Sequence, residues 1–213
     1  MTERILWGVG TTRTLRAHWA LTFLGLEYET KVIRTRTPPM EGPEYQAINP
    51  RGKIPTLQDG DVTLTESAAI VVYLAERYST PERRLIPTDV KARGLYFEWM
   101  SFISMELDAT SLYVLRRHEA LPEIYGIAPE ANKAARAYFD RMLGAATVRL
   151  HDGRPYLLGD DFSGVDILMA SCLDLAVRYH VGLPTEFQDY WQRMKDEPST
   201  AIAFAANQAS APA

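Results

Sequence analysis

Lys53, Ile54 and Pro55, with Glu66 and Ser67 a short way downstream, are the residues of this chain best suited to gripping a small charged molecule. Ile54-Pro55 lies between a Gly-Lys turn and a short β run. A cis peptide is accessible there because proline cuts the usual trans preference to about 0.5–1 kcal/mol. The backbone beside Ile54 offers strand-type hydrogen bonds. Asp59-Gly60 then turns a hairpin, and the second strand feeds a helix opening with Glu66-Ser67-Ala68-Ala69-Ile70. Free amides and the positive end of the helix dipole at Thr65, Glu66 and Ser67 favour a carboxylate or phosphate, and the Ser67 hydroxyl adds a donor. Glu66 repels a lone anion but suits a ligand that also carries an ammonium group. Lys53 supplies a cation for a second carboxylate. The ligand so described is a small zwitterionic peptide with an extra carboxylate. The plainer alternative is a helix cap beside an ordinary turn.

The run over residues 49–78, together with Phe162-Ser163-Gly164-Val165-Asp166, resembles the soluble glutathione S-transferases of bacterial type, nearest the beta-like and theta-like classes. The similarity extends over nearly the whole chain. It implies glutathione as co-substrate, with Ile54 pairing its backbone with the cysteinyl part, Pro55 cis, and Glu66 and Ser67 holding the γ-glutamyl head. Lys53 is then the best-placed cation for the glycyl carboxylate, ahead of the loop arginines Arg34, Arg36 and Arg51. A homodimer is also implied.

A thiol-conjugating enzyme must stabilise a thiolate, with a hydroxyl or a positive dipole near sulfur. Gly10-Thr11-Thr12-Arg13-Thr14, after the first strand and before a helix, is the place for it. Aligned through Leu15-Arg16, Thr12 falls where theta-like and delta-like enzymes carry a catalytic serine, and Arg13 where beta-like enzymes carry a cysteine. Thr12 is therefore the expected thiol partner, with Thr11 and Arg13 as neighbours; helix capping is the competing role for each threonine. No tyrosine lies between Leu6 and Thr14. Without a turn cysteine, glutathione-dependent thiol reduction is not expected, and Cys172 reads as a small core residue.

For the second substrate, Ser101, Ser104, Asp108 and Ser111 recur at helical spacing as one polar stripe. Asp108 falls where beta-like enzymes place a histidine lining the cleft. Asp108, Ser104 and Tyr113 are the expected electrophile-side residues, against the alternative of a solvated face. The expected reaction is attack of the glutathione thiol on small, apolar electrophiles. Glutathione-dependent dehalogenation, isomerisation or peroxide reduction remain open on the same fold, as does a non-catalytic glutathione-binding or protein-interaction module.

The elements that must position these groups follow from periodicity. Residues 4–8 are a strand. Leu15, Trp19, Phe23 and Leu26 mark a helix, residues 28–33 a second strand, and residues 34–43 a loop before a brief helix near Tyr45. Two strands flank Asp59-Gly60, and a helix covers residues 66–78. The order βαβαββα is the thioredoxin-like α/β domain that the resemblance implies, over residues 1–79. Residues 80–87 are a proline-flanked linker, and residues 88–213 an all-α domain lining the electrophile site. Its helices are expected at 89–117, 129–151 and 163–179, with shorter ones after Pro184 and Pro198. Ser163 and Asp166 form an acidic capping box, flanked by the staple pair Phe162 and Ile167. The tail from Asn207 reads as frayed.

Composition narrows the classes further. With 213 residues, 46% hydrophobic and 23% charged, the chain can bury a substantial core. Lys plus Arg is 23 and Asp plus Glu is 27, giving −4, which argues against a nucleic-acid partner. A single cysteine, no leader pattern and no long apolar run fit a cytoplasmic protein with no membrane partner. The four histidines show no metal-ligand spacing, and no phosphate-binding glycine loop occurs, so neither metal nor nucleotide cofactor is expected.

Overall fold

The computed structural model describes residues 4–209. They form two compact units, one holding residues up to Ile86 together with the segment from Asp196, the other Pro87–Lys195.

In the first unit the chain runs β1 (Arg4–Trp7), α1 (Thr12–Phe23), β2 (Glu29–Lys31), α2 (Pro38–Glu41), α3 (Pro43–Ile48), β3 (Thr56–Asp59), β4 (Val62–Thr65) and α4 (Ser67–Tyr78). This is the expected βαβαββα order, with one extra helical turn, α2, where the sequence reading places a loop. Pro38 and Pro39 start that turn, since a proline at the first helical position loses no hydrogen bond. β2 is shorter than residues 28–33, but two bonds carry its contact onward, from Gly8 N–H to Lys31 O and from Val9 N–H to Ile33 O.

The four strands lie in the order β2-β1-β3-β4, with β1 parallel to β2 and antiparallel to β3. Register decides where the function can sit. Trp7 pairs with Thr56, and Thr56 with Thr65, so one row closes that end of the sheet. The residues just beyond this row are Gly8, Pro55 and Glu66. Three stretches far apart in sequence therefore emerge at the same edge.

α1 is buried from Thr14 to Leu21 because it packs on both α4 and the C-terminal helix α11 (Pro198–Asn207). Sequence reasoning assigns that last helix to the all-α domain ending at 213, whereas it belongs to the first unit. Trp19 Nε1 donates to Ser199 Oγ at 2.7 Å, one tie that holds it there. Nor does the chain fray from Asn207: that side chain is buried and ends a regular helix. Residues 210–213 lie outside the described residues.

The second unit comprises α5 (Val90–Phe102), a π-helical stretch (Ile103–Leu112), α6 (Tyr113–His118), α7 (Pro122–Tyr125), α8 (Pro129–Ala146), a 3-10 turn (Thr147–Leu150), α9 (Gly164–Arg178) and most of α10 (Thr185–Asp196). The single helix expected over 89–117 is thus interrupted by ten π-helical residues. Ile103, Leu107 and Leu112 are fully buried, and the five-residue step between the last two suits i→i+5 bonding, as does Tyr113 N–H donating to Asp108 O.

At the start of α9 the expected box is present. The Asp166 carboxylate accepts from Leu157 N–H (2.9 Å), Ser163 N–H (2.9 Å), Ser163 Oγ (2.7 Å) and Tyr190 Oη (2.8 Å). Burial pushes the Asp166 carboxyl upward, while these donors pull the other way. The staple pair, Phe162 and Ile167, is buried.

Candidate functional site

The Ile54-Pro55 bond is cis. The Ile54 side chain belongs to a small apolar cluster with Trp7, Ile33 and Tyr45, and Ile5, Met40 and Ile48 pack around it. Two polar side chains from α3 and the residue after it hold the turn's backbone. Tyr45 Oη and Asn49 Nδ2 (2.7 Å) both donate to Lys53 O, and both reach Thr56 Oγ1 at 2.8 and 3.1 Å. β3 begins only at Thr56, so the polar backbone of Ile54 stands outside the ladder. Gly8, at φ +113°, must be glycine, because a Cβ there would sit 2.6 Å from Ile54 Cβ. The end of β1 thus lies directly against the clamp.

Glu66 is the N-cap of α4 at φ 69° and ψ 113°, an uncommon region for a residue with a Cβ. Its side chain does not cap the helix. Instead its exposed carboxylate meets Arg51 Nη1 at 3.1 Å, while Arg51 Nη2 also donates to Thr65 Oγ1. Ser67 is buried as the first residue of α4, and the N-cap side chain leaves the first-turn amides uncapped. Beside it comes a cation that sequence reasoning missed. Arg16 of α1 is 2% exposed, with Nη1 3.4 Å from Ser67 Oγ. An arginine inside an apolar helical stretch was its one sequence signal. The arrangement favours a carboxylate at Ser67 and leaves Glu66 outside to meet an ammonium group. Lys53, the expected second cation, is exposed. Of the loop arginines, Arg51 sits on Glu66, and Arg34 donates to Ala209 O while its Nη1 packs on Gly10.

The turn before α1 sorts its three threonines. Thr11 is the N-cap, and its hydroxyl accepts from Thr14 N–H at 3.0 Å while Thr14 Oγ1 accepts from Thr11 N–H at 2.9 Å. Thr14 Oγ1 further donates to Asn207 Oδ1 at 2.6 Å. Thr12 is the first residue of α1 and its hydroxyl takes no part in this box. Arg13 follows, half-buried. The capping role therefore falls to Thr11 and Thr14, and Thr12, buried at 8% exposure, stands outside the box.

Behind the turn, His18 is buried, with Nε2 3.2 Å from Gly8 O and Nδ1 2.8 Å from Tyr28 Oη. A carbonyl only accepts, so Nε2 carries the proton and Nδ1 takes the tyrosine hydroxyl. Burial lowers the His18 pKa to about 4, against a smaller upward pull from the Gly8 bond, and the ring is neutral at pH 7.

In the second unit the polar stripe is solvated only at its start, where Ser101 is exposed, and turns inward after it. Asp108 and Ser111 are buried, and Ser111 Oγ donates to Glu106 O at 3.0 Å. The Ser104 hydroxyl is buried without a hydrogen-bond partner. Tyr113 is stacked by Arg116 and Arg117. A separate apolar pocket of about 240 Å³, lined by Trp99, Phe102 and Met142 under a Glu98–Arg149 ion pair, touches none of the expected electrophile-side residues. Among the described residues no group of acidic, histidine or cysteine side chains could hold a metal, and no helix is long and apolar enough to cross a membrane.

Known proteins share this layout. Residues 12–77 match the family model for the glutathione S-transferase N-terminal domain, and residues 129–197 that for the C-terminal domain. A glutathione S-transferase of Triticum aestivum is 29% identical over 207 residues, 92% of this chain and 90% of that protein. Human glutathione S-transferase theta-1 is 30% identical over 126 residues, 58% of this chain and 52% of that protein. The theta-class glutathione S-transferase of Xanthomonas axonopodis pv. citri, solved with glutathione bound, is 26% identical and superposes with a TM-score of 0.82 over 96% of this chain and 98% of that one.

Proposed function

Given that the chain belongs to the glutathione S-transferase family, we propose that it conjugates glutathione, through its thiol, to small, apolar electrophiles with Thr12 as the hydroxyl that holds the thiolate. The single observation that carries the choice is the division of labour in the turn: Thr11 and Thr14 are spent on the helix cap, and Thr12 is not.

The steps follow from the residues. The γ-glutamyl carboxylate binds at Ser67 and the first-turn amides of α4, with Arg16 raising the local positive potential. Its ammonium group meets Glu66, displacing part of the Arg51 contact. The cysteinyl backbone pairs with Ile54, and Lys53 meets the glycyl carboxylate. Sulfur then lies toward the start of α1, where the Thr12 hydroxyl donates to it and the helix dipole favours its negative charge. The thiol gives its proton to solvent more readily than at the ordinary value of about 8.5, and the thiolate sulfur bonds to the electrophilic carbon as the leaving group, halide for an aryl halide, departs with the bonding pair. Arg13 adds positive charge nearby. Binding both reactants supplies the remaining gain by orientation.

On the helical unit, Asp108, Ser104 and Tyr113 are the residues we assign to the electrophile. The protein is proposed to act as a homodimer in the cytoplasm, where glutathione is plentiful and the buried Cys172 stays reduced; light scattering at micromolar concentration tests the dimer. The catalytic reading is tested by Thr12→Ala. Turnover of an activated aryl halide is expected to fall about a hundredfold, and the bound thiol pKa to rise, while glutathione still binds. An unchanged thiol pKa refutes the role of Thr12. Glutathione binding without turnover of any electrophile by the wild-type protein refutes transferase chemistry itself.

A further inference from the structure

Asn207, the last residue of α11, makes more contacts with the catalytic turn than any capping role of its own helix requires. Its Oδ1 accepts from Thr14 Oγ1 at 2.6 Å and from Gly10 N–H at 3.2 Å. Its Nδ2 donates to Thr11 O at 3.1 Å. Its backbone carbonyl also accepts from Gly10 N–H, at 2.7 Å. Gly10 N–H and Thr11 O fix the amide's orientation, because a flipped group would set NH₂ against an N–H donor and oxygen against a carbonyl. One buried side chain thus grips three of the residues that flank or bracket Thr12, from almost two hundred positions away.

The rest of α11 serves to bring it there. Glu197 caps the helix by accepting from Ser199 N–H at 2.9 Å, and Ser199 Oγ receives Trp19 Nε1 from α1. Arg34 closes the far side, donating to Ala209 O at 3.2 Å beside Gly10. Gly10 itself stands at φ +79°. A turn with a left-handed glycine has no ladder to hold it, so an outside partner must set its conformation.

We propose that Asn207 is a positioning residue for the thiol chemistry: it holds the turn of Gly10, Thr11 and Thr14 so that the Thr12 hydroxyl and the first amides of α1 face the sulfur of glutathione. The proposal rests on Thr12 being the sulfur's partner. Asn207 does not touch the substrate. It acts by removing freedom from the group that does, and a hydroxyl misplaced by a fraction of an ångström loses much of its effect on a thiolate.

Full-length Asn207→Ala, Asn207→Asp and Thr12→Ala proteins are compared with wild type. The readouts are the pKa of the bound thiol from its thiolate absorbance, kcat and KM for glutathione with an activated aryl halide, and the denaturation midpoint. Asn207→Ala is expected to raise the thiol pKa by about one unit, which lowers kcat about tenfold at a pH below that pKa. KM for glutathione is expected to move by less than about twofold, because a turn contact with no ligand bond leaves ground-state binding intact. Asn207→Asp keeps the shape and the acceptor for Gly10 and Thr14, but sets a carboxylate against Thr11 O. It is expected to move the pH profile of kcat upward at least as far, although it fills the same space. A thiol pKa that stays at the wild-type value in both Asn207 variants overturns the proposal, including when the denaturation midpoint falls. In that case a raised pKa in Thr12→Ala leaves the Thr12 reading standing. An unmoved pKa in Thr12→Ala removes that reading and the proposal with it.

Discussion

Replacing His18 by glutamine isolates one buried ring that ties α1 to the end of β1. In the folded protein burial lowers the His18 pKa to about 4, whereas in the unfolded chain it is 6.5. A depressed histidine pKa means that the unfolded state binds more protons between these values. Stability is therefore fully present above pH 6.5 and is lost as the pH falls toward 4. The whole shift corresponds to about 3 kcal/mol, and about 2 kcal/mol of it is lost by pH 5. For a chain of this size that is roughly a 4–8 °C drop in Tm. Other groups titrate in the same window, so the quantity to measure is the difference between wild type and His18→Gln from pH 7.5 to 4.5. At pH 7.5 the variant should be the less stable, because glutamine fills the Gly8 and Tyr28 bonds imperfectly. By pH 5 the gap should shrink or reverse, since glutamine has no proton to gain. Parallel pH curves for the two proteins would refute the neutral, buried histidine. The same variant should lower kcat, because Gly8 and the turn beyond it lose their anchor.

Asp166→Ala leaves the Leu157 and Ser163 amides and the Tyr190 hydroxyl without their acceptor, and should cost about 3 kcal/mol or more in urea denaturation. Gly8→Ala drives a methyl into Ile54 at a positive φ, and is expected to cost about 2 kcal/mol and to weaken glutathione binding in calorimetry. Glu66→Gly separates stability from function. Relief of the strained backbone should stabilise by about 1 kcal/mol, while loss of the ammonium contact should raise KM for glutathione about tenfold.

The half of the site that was legible in the sequence is the half encoded locally. Ile54-Pro55, the hairpin at Asp59-Gly60 and the helix opening at Glu66-Ser67 all lie within residues 54–67, and turn chemistry and dipole arguments reach that far. What was hidden depends on distant partners. Arg16 gains a role only when α4 lies beside α1 and brings Ser67 within 3.4 Å. Thr11, Thr12 and Thr14 are equivalent by type, and only their bonds distinguish them. The π-helical stretch escaped because apolar periodicity announces a helix but does not count whether its bonds skip four residues or five. Asn207 escaped for the opposite reason: at the edge of an Ala/Ser/Pro tail, local composition argues for fraying and nothing nearby argues against it.

That contrast explains how the work is divided in this chain. The residues proposed to grip glutathione are held by the sheet, whose register brings Gly8, Pro55 and Glu66 to one end whatever the rest of the chain does. The turn proposed to activate the thiol has no such ladder. Its conformation is assembled from a glycine at positive φ, two threonines bonded to each other, a neutral histidine on one side and the end of the last helix on the other. Binding should therefore tolerate perturbation of α11 and of His18 better than turnover does, because the first depends on strand pairing and the second on contacts that a single lost side chain can loosen. A truncation before Pro198 carries the argument to its limit. If the protein stays folded it should still bind glutathione through Ile54, Glu66 and Ser67, with the thiol titrating close to its free value; full turnover in that truncated protein would refute the dependence of the turn on α11.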